Sequence, residues 1–228
     1  MPSSPATPTR KRRPRVALTP DRIIEAAMGI IESDGSEALT FRRLGTELGV
    51  DHTAVLRHFR GKDELMLALA DRLMAEALSG VEVTADWRAT LKDLAHRVRL
   101  ACRAHPQVAV AVSGRTARRA SEFDGAEIVL GALLQAGLQG REAASCYRAL
   151  VEIALAYSSM EATLMALPEE AMAGDREAWS REYLTLSPAR YPSIAAVAPH
   201  LAEVDQEDHF DVALDLFLDA IELRGRRR

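Results

Sequence analysis

The chain has 228 residues, 48% of them hydrophobic and 27% charged, with a formal net charge of −4. That apolar share fills a sizeable core and excludes wholesale disorder, while no apolar run approaches the roughly 18–20 residues that cross a bilayer. Two cysteines, Cys102 and Cys146, are too few for a disulfide framework and fit a reducing compartment.

The stretch MPSSPATPTRKRRPR is polar, basic and rich in proline, with no apolar core, so it reads as a disordered arm over residues 1–15 rather than a secretory signal. A cytoplasmic location is the expectation. Thr19 then caps a first helix that has Pro20 in its opening turn, buries Ile23, Ala27, Ile30 and Ile31, and stops at Gly35. A second helix follows Thr40 with Phe41, Leu44 and Leu48 inward, broken by Gly49. Asp51 caps a third, from His52 to Arg60, and a longer helix runs from about Lys62 to Leu78.

Beyond it, Trp87, Leu91, Leu94, Val98 and Cys102 form one helical stripe that ends at His105-Pro106. Residues 121–137 make another helix, stopped by Gly137. Glu142 to Leu167 is long and apolar on several faces, which predicts burial against a second element as well as inside the subunit. Residues 168–200 read as irregular with short helices. The last helix spans Asp208 to Leu223. Alanine-rich, β-poor sequence of this kind predicts an all-α fold. The expected organisation is an arm at 1–15, a three-helix head at 16–62 and a larger helical body at 63–228.

The charge follows that division. Residues 1–62 carry eleven Lys/Arg against seven Asp/Glu, a surplus of four positive charges, and the remainder carries eighteen against twenty-six. A basic head on an acidic body can approach DNA at one end only. Five of the head's cations lie between Arg10 and Arg15, where they either follow DNA or form a solvated tail. The arginines at the C-terminal end are accounted for by the negative end of the last helix.

Within TFRRLGTELGVDHTAVLRHFRGKDEL, residues 40–65, two short helices joined through a glycine turn give a helix-turn-helix pattern. Val55 and Phe59 close a small core with Leu44 and Leu48. His52, Thr53, Leu56 and Arg57 share the opposite face, chemically suited to base edges and phosphates.

Leu18 to Leu73 resembles, without gaps, the N-terminal domain of the tetracycline-repressor (TetR) family of transcriptional regulators. The resemblance is carried by Ile-Glu-Ala-Ala, Gly35…Leu39-Thr40, Leu44…Leu48-Gly49-Val50 and His58-Phe59…Lys62-Asp63-Glu64-Leu65. Residues 87–223 resemble the family's ligand-binding and dimerisation domain more loosely, through His105-Pro106, Ala136-Gly137-Leu138 and Tyr191-Pro192. The resemblance implies that Thr40 caps the second helix and touches phosphate, and that Arg42 and Arg43 reach backbone or a base at the groove edge. It implies further that His52, Thr53 and Arg57 face bases, and that His58 and Lys62 grip phosphate. Where the family usually has an aromatic residue, this chain has Leu56, which either packs on a thymine methyl or joins the small core.

The same resemblance implies a homodimer on a palindromic operator, with half-sites about 34–36 Å apart. The bundle between subunits is expected from helices near 142–167 and 208–223. It also implies a small-molecule effector that releases the DNA, hydrophobic or aromatic given the apolar helices. Candidate cavity residues are Trp87, His96, Cys102, Tyr147, Tyr157, Met160 and Glu161. No cofactor or metal is expected, since Asp208, His209 and Asp211 lack ligand spacing. An enzyme is disfavoured by the absence of a glycine-rich phosphate loop, HExxH, GxSxG or CxxC. Control by a protein partner in place of an effector is the other reading.

Overall fold

A computed structural model describes residues 17–165, 167, 169–177, 181–204 and 208–226. The arm at 1–15 and the last two arginines lie outside the described residues. Among those described, every regular element is helical.

The head comprises α1 (Pro20–Asp34), a short 3-10 turn (Ser36–Ala38), α2 (Phe41–Leu48) and α3 (His52–Leu56), and runs into α4 (Lys62–Leu78). Its helices begin where the sequence supplies caps. Thr19 accepts from the Arg22 N–H at 3.4 Å, Thr40 from Arg43 at 3.1 Å and Asp51 from Thr53 at 2.8 Å. Gly49 ends α2 in the left-handed conformation, φ +66°. Gly45 is required for another reason. A Cβ there would stand 2.9 Å from the Val50 carbonyl oxygen and 3.0 Å from the His52 nitrogen, both backbone atoms. Any side chain at that position pushes α2 and α3 apart.

The third helix is shorter than the sequence predicts. It stops at Leu56, and the chain turns through Arg57 and His58. Phe59 must enter the core, where it is 4% exposed, and the Arg60 N–H turns to the Glu64 carboxylate at 2.7 Å. A straight continuation to Arg60 satisfies neither.

The body holds α5 (Trp87–Ala104), α6 (Pro106–Val112), α7 (Ala120–Gln135), α8 (Gly140–Met165), α9 (Glu169–Glu177), α10 (Tyr183–Thr185), α11 (Pro192–Val204) and α12 (His209–Gly225). The sequence reading ends a stripe at His105-Pro106 and does not anticipate α6. The structure starts a new helix there, since proline at the first helical position loses no hydrogen bond. The stretch read as irregular with short helices holds α9, α10 and α11.

Buried apolar side chains fall into two clusters. The first joins Ile23, Ile31, Leu39, Leu44, Val55, Phe59, Leu65 and Leu69 with Val108, Ala109 and Val112 of α6. The second holds Leu91, Leu94, Leu133, Leu138, Leu150, Phe210, Leu214, Leu218 and Ile221, from α5, α7, α8 and α12 and the turn between α7 and α8. A ladder of polar side-chain contacts joins α5 to α12. Arg99 meets Asp208 at 2.7 Å, His96 meets Asp211 at 2.8 Å, Lys92 meets Asp215 at 3.0 Å and Arg88 meets Asp219 at 2.7 Å. No helix among the described residues is long and apolar enough to cross a membrane.

Candidate DNA-reading surface and effector cavity

Residues singled out for DNA contact occupy one exposed end of the head. Thr40, Arg42 and Arg43 open α2, His52, Thr53 and Leu56 lie on α3, Arg57 and His58 form the turn, and Lys62 begins α4. All nine are exposed. Leu56, 40% exposed, does not join the small core, because Val55 beside it points inward with no exposure at all.

Their present partners differ. Arg43 donates to Asp34 at 3.2 Å and Lys62 to the Ser36 carbonyl at 2.9 Å. The Thr53 hydroxyl donates to Asp51 at 2.6 Å. That bond, with the backbone bond from Thr53, holds the Asp51 carboxyl below its ordinary value. Among the described residues the side chains of Arg42, Arg57 and His58 hold no hydrogen bond or ion pair. Arg57 offers a planar fork of donors beside the short helix, the shape that matches a guanine edge.

Residues of α4, α5, α6, α7, α8 and the 113–117 loop line a partly open cavity of about 330 Å³. That is within the range of small-molecule sites. Its walls are mostly apolar, with Ala70, Ala77, Ala95 and Gly125 interleaved with larger side chains such as Leu73, Leu91, Val129 and Leu150. Four hydroxyl-bearing residues, Ser113, Thr116, Tyr147 and Ser159, supply polar points. The charged wall residues are already paired. Arg115 binds Asp63, Arg148 binds Glu152, and Glu122 accepts the Arg118 N–H at 2.7 Å. Burial pushes the Cys102 thiol up to about 11, with the Glu161 carboxylate adding to it. Burial, then Glu122, raises the Tyr147 hydroxyl. Both therefore stay protonated at neutral pH. Such a space suits an uncharged, largely apolar molecule with a few hydroxyl or carbonyl groups.

Of the seven residues read from sequence as cavity candidates, Cys102 and Tyr147 line it and the other five do not. Trp87 packs at the start of α5 in the second cluster. His96 turns to the opposite side of α5 and meets Asp211. Tyr157 faces the Phe210 ring, centroids 5.3 Å apart. Met160 is 51% exposed on the outside of α8. Glu161 is bound by Arg99 at 2.7 Å and Arg103 at 3.3 Å. Polarity and softness thus pointed to residues with structural partners. The cavity is lined by alanine and glycine at inward positions of long helices together with leucines and valines, and the small residues are the signal available in the sequence.

Residues 23–69 match the family model described as bacterial regulatory proteins, tetR family, and residues 81–224 match the tetracyclin repressor-like C-terminal domain. The chain belongs to the TetR family. It is a DNA-binding transcriptional regulator and not an enzyme. Among TetR relatives, the HTH-type transcriptional repressor DrrR1 of Streptomyces coeruleorubidus is 30% identical over 95% of this chain and 82% of its own length. The tetracycline repressor protein class A from transposon 1721 of Escherichia coli is 28% identical, over 91% of this chain and 92% of its own. Apo ActR from Streptomyces coelicolor has the same fold, with a TM-score of 0.78 at 22% identity over 92% of this chain and 97% of its own. ActR has also been solved with actinorhodin bound, TM-score 0.77 at 23% identity, over 92% of this chain and 99% of its own.

Proposed function

We propose that this TetR-family regulator represses by holding a palindromic operator as a homodimer in the cytoplasm, and that a small, uncharged, hydrophobic or aromatic effector releases it. One observation carries the reading: α4 and α6 form walls of the cavity and at the same time pack into the apolar cluster of the DNA-reading head. A molecule that alters the cavity bears on the head directly. A mostly apolar pocket of about 330 Å³ between helices is of a size to take a small effector.

In the proposed complex Thr40, Arg42, Arg43, His58 and Lys62 hold phosphates, while His52, Thr53, Leu56 and Arg57 face base edges. Cys102 and Tyr147 contact the effector. The dimer is assigned to α8 and α12, which touch each other and leave adjoining apolar stripes in solvent. Ile153, Met160 and Leu164 line one stripe and Val212, Leu216 and Leu223 the other, with Leu216 as much as 67% exposed. Exposed stripes on neighbouring helices are what a four-helix bundle between two subunits covers.

The test is selection of bound DNA from a random-sequence pool by the full chain, followed by gel shift with a panel of neutral lipophilic and aromatic compounds. The expected result is an enriched inverted repeat, bound by two chains and released by at least one compound. Failure to enrich any sequence overturns the reading.

A further inference from the structure

The lining of the cavity is divided by polarity. Its exposed residues are Ser113, Gly114, Arg115 and Thr116 of the loop after α6, with Arg148 and Glu152 of α8, so the cavity opens to solvent between that loop and α8. The half-buried polar residues of the lining, Glu122, Tyr147 and Ser159, come from the first turn of α7 and from α8. Glu122 accepts the Arg118 N–H at 2.7 Å, which ties it to the same loop. The walls from α4, α5 and α6 are different. They present side chains such as Leu73, Ala77, Leu91, Ala95, Val98 and Val112, and the Cys102 thiol is their one polar side-chain group.

That division decides where a bound molecule can satisfy a polar group. Among the described residues the hydroxyls of Ser113, Thr116, Tyr147 and Ser159 hold no hydrogen bond to another protein group. Arg115 and Arg148 are each paired with a carboxylate, Asp63 and Glu152. A hydroxyl or carbonyl at the mouth therefore exchanges water for protein partners, without needing a charge of its own. The same group set against α4 and α5 meets hydrocarbon and a thiol, which is a weak donor. There it carries its desolvation penalty uncompensated.

We propose that the effector is polar at one end only, with its apolar end against α4 and α5 and an uncharged hydrogen-bonding group at the mouth, held by Thr116 and the Arg148–Glu152 pair. This rests on the effector reading above.

Naphthalene, 2-naphthol and 2,6-dihydroxynaphthalene share one ring system and differ only in their hydroxyls, and each is titrated into the full chain by calorimetry. In the wild type, 2-naphthol is expected to bind about threefold tighter than naphthalene, and the diol about tenfold weaker than 2-naphthol. Thr116→Val combined with Glu152→Leu is expected to remove the advantage of 2-naphthol over naphthalene. Val98→Thr keeps the shape of the α5 wall and gives the second hydroxyl a partner there. It is expected to bring the diol to within about threefold of 2-naphthol. Where Val98→Thr does not fold, Ala95→Ser on the same helix takes its place. A diol that matches 2-naphthol in the wild type, a diol that stays weak in the α5 variant, or an advantage of 2-naphthol that persists in the mouth variant overturns the inference. A chain that binds none of the three compounds overturns the effector reading instead.

Discussion

In the head, Ile23, Ile31, Leu39, Leu44, Val55 and Phe59 are almost wholly withdrawn from water and close on one another across the Gly45 contact. In the body, alanines and Gly125 face inward from longer helices and leave about 330 Å³ open. Large branched side chains fill space to crystal-like density and tolerate little change, while small ones on stiff helices leave room a ligand can use. The contrast separates a closely packed head, which carries the exposed Arg57 and its neighbours, from a body with open space inside it.

The strongest way to break this contrast is to hollow the head. Phe59→Ala is expected to cost about 3–5 kcal/mol of the head's stability and to abolish DNA binding while the body still melts cooperatively. Calorimetry beside gel shift checks it, and a single transition lowered throughout would show that head and body are not separable.

Changing the surface without touching its support should act more narrowly. Arg57→Ala is expected to lose about 1–3 kcal/mol of sequence discrimination, read as the ratio of affinities for selected and scrambled DNA, with the melting temperature unchanged. Equal losses on both DNAs would make Arg57 a phosphate contact.

The body offers its own handle in the ladder between α5 and α12. The Arg99 guanidinium lowers the Asp208 carboxyl, and the Lys92 ammonium followed by Arg88 lowers Asp215, each from an ordinary value of 3.8. Carboxyls depressed in the folded state contribute stability that is present above about pH 4 and lost as the pH falls through their lower folded values. Acid titration of the melting temperature should therefore show a decline below pH 4 that is shallower in Arg99→Gln. An identical decline would mean the Arg99–Asp208 contact contributes nothing measurable.

The smallest expected effect sharpens the comparison from the cavity side. A Cβ on Gly125 would meet the Met74 sulfur at 3.5 Å, an ordinary contact. Gly125→Ala is expected to raise stability by about 0.5–1 kcal/mol, through helix propensity, and to weaken effector binding by filling space. Stability that falls would show that the cavity wall is already close-packed at that point.

The caps at Thr19, Thr40 and Asp51 were legible because each side chain bonds a backbone group only two or three residues away. The exposed face of α3 was legible for the same local reason. That His96, Tyr157 and Glu161 lie off the cavity was not legible, because their partners, Asp211, Phe210 and Arg99, lie far along the chain, where no local pattern reports them. The start of α6 at Pro106 was missed because a proline after an apolar stripe marks an end as readily as a beginning.

Legible in the sequence alone are the all-helical class, the cap-to-cap layout of the head and the exposed face of α3. These follow from periodicities and hydrogen bonds that span a few residues. Where the cavity lies, that alanines and Gly125 form part of its wall, and that α6 packs against α8 as well as against α1 and α4 emerge only in the tertiary structure. Empty space and long-range pairing depend on how distant helices stack, so they are properties of the packed chain and of no single stretch of it.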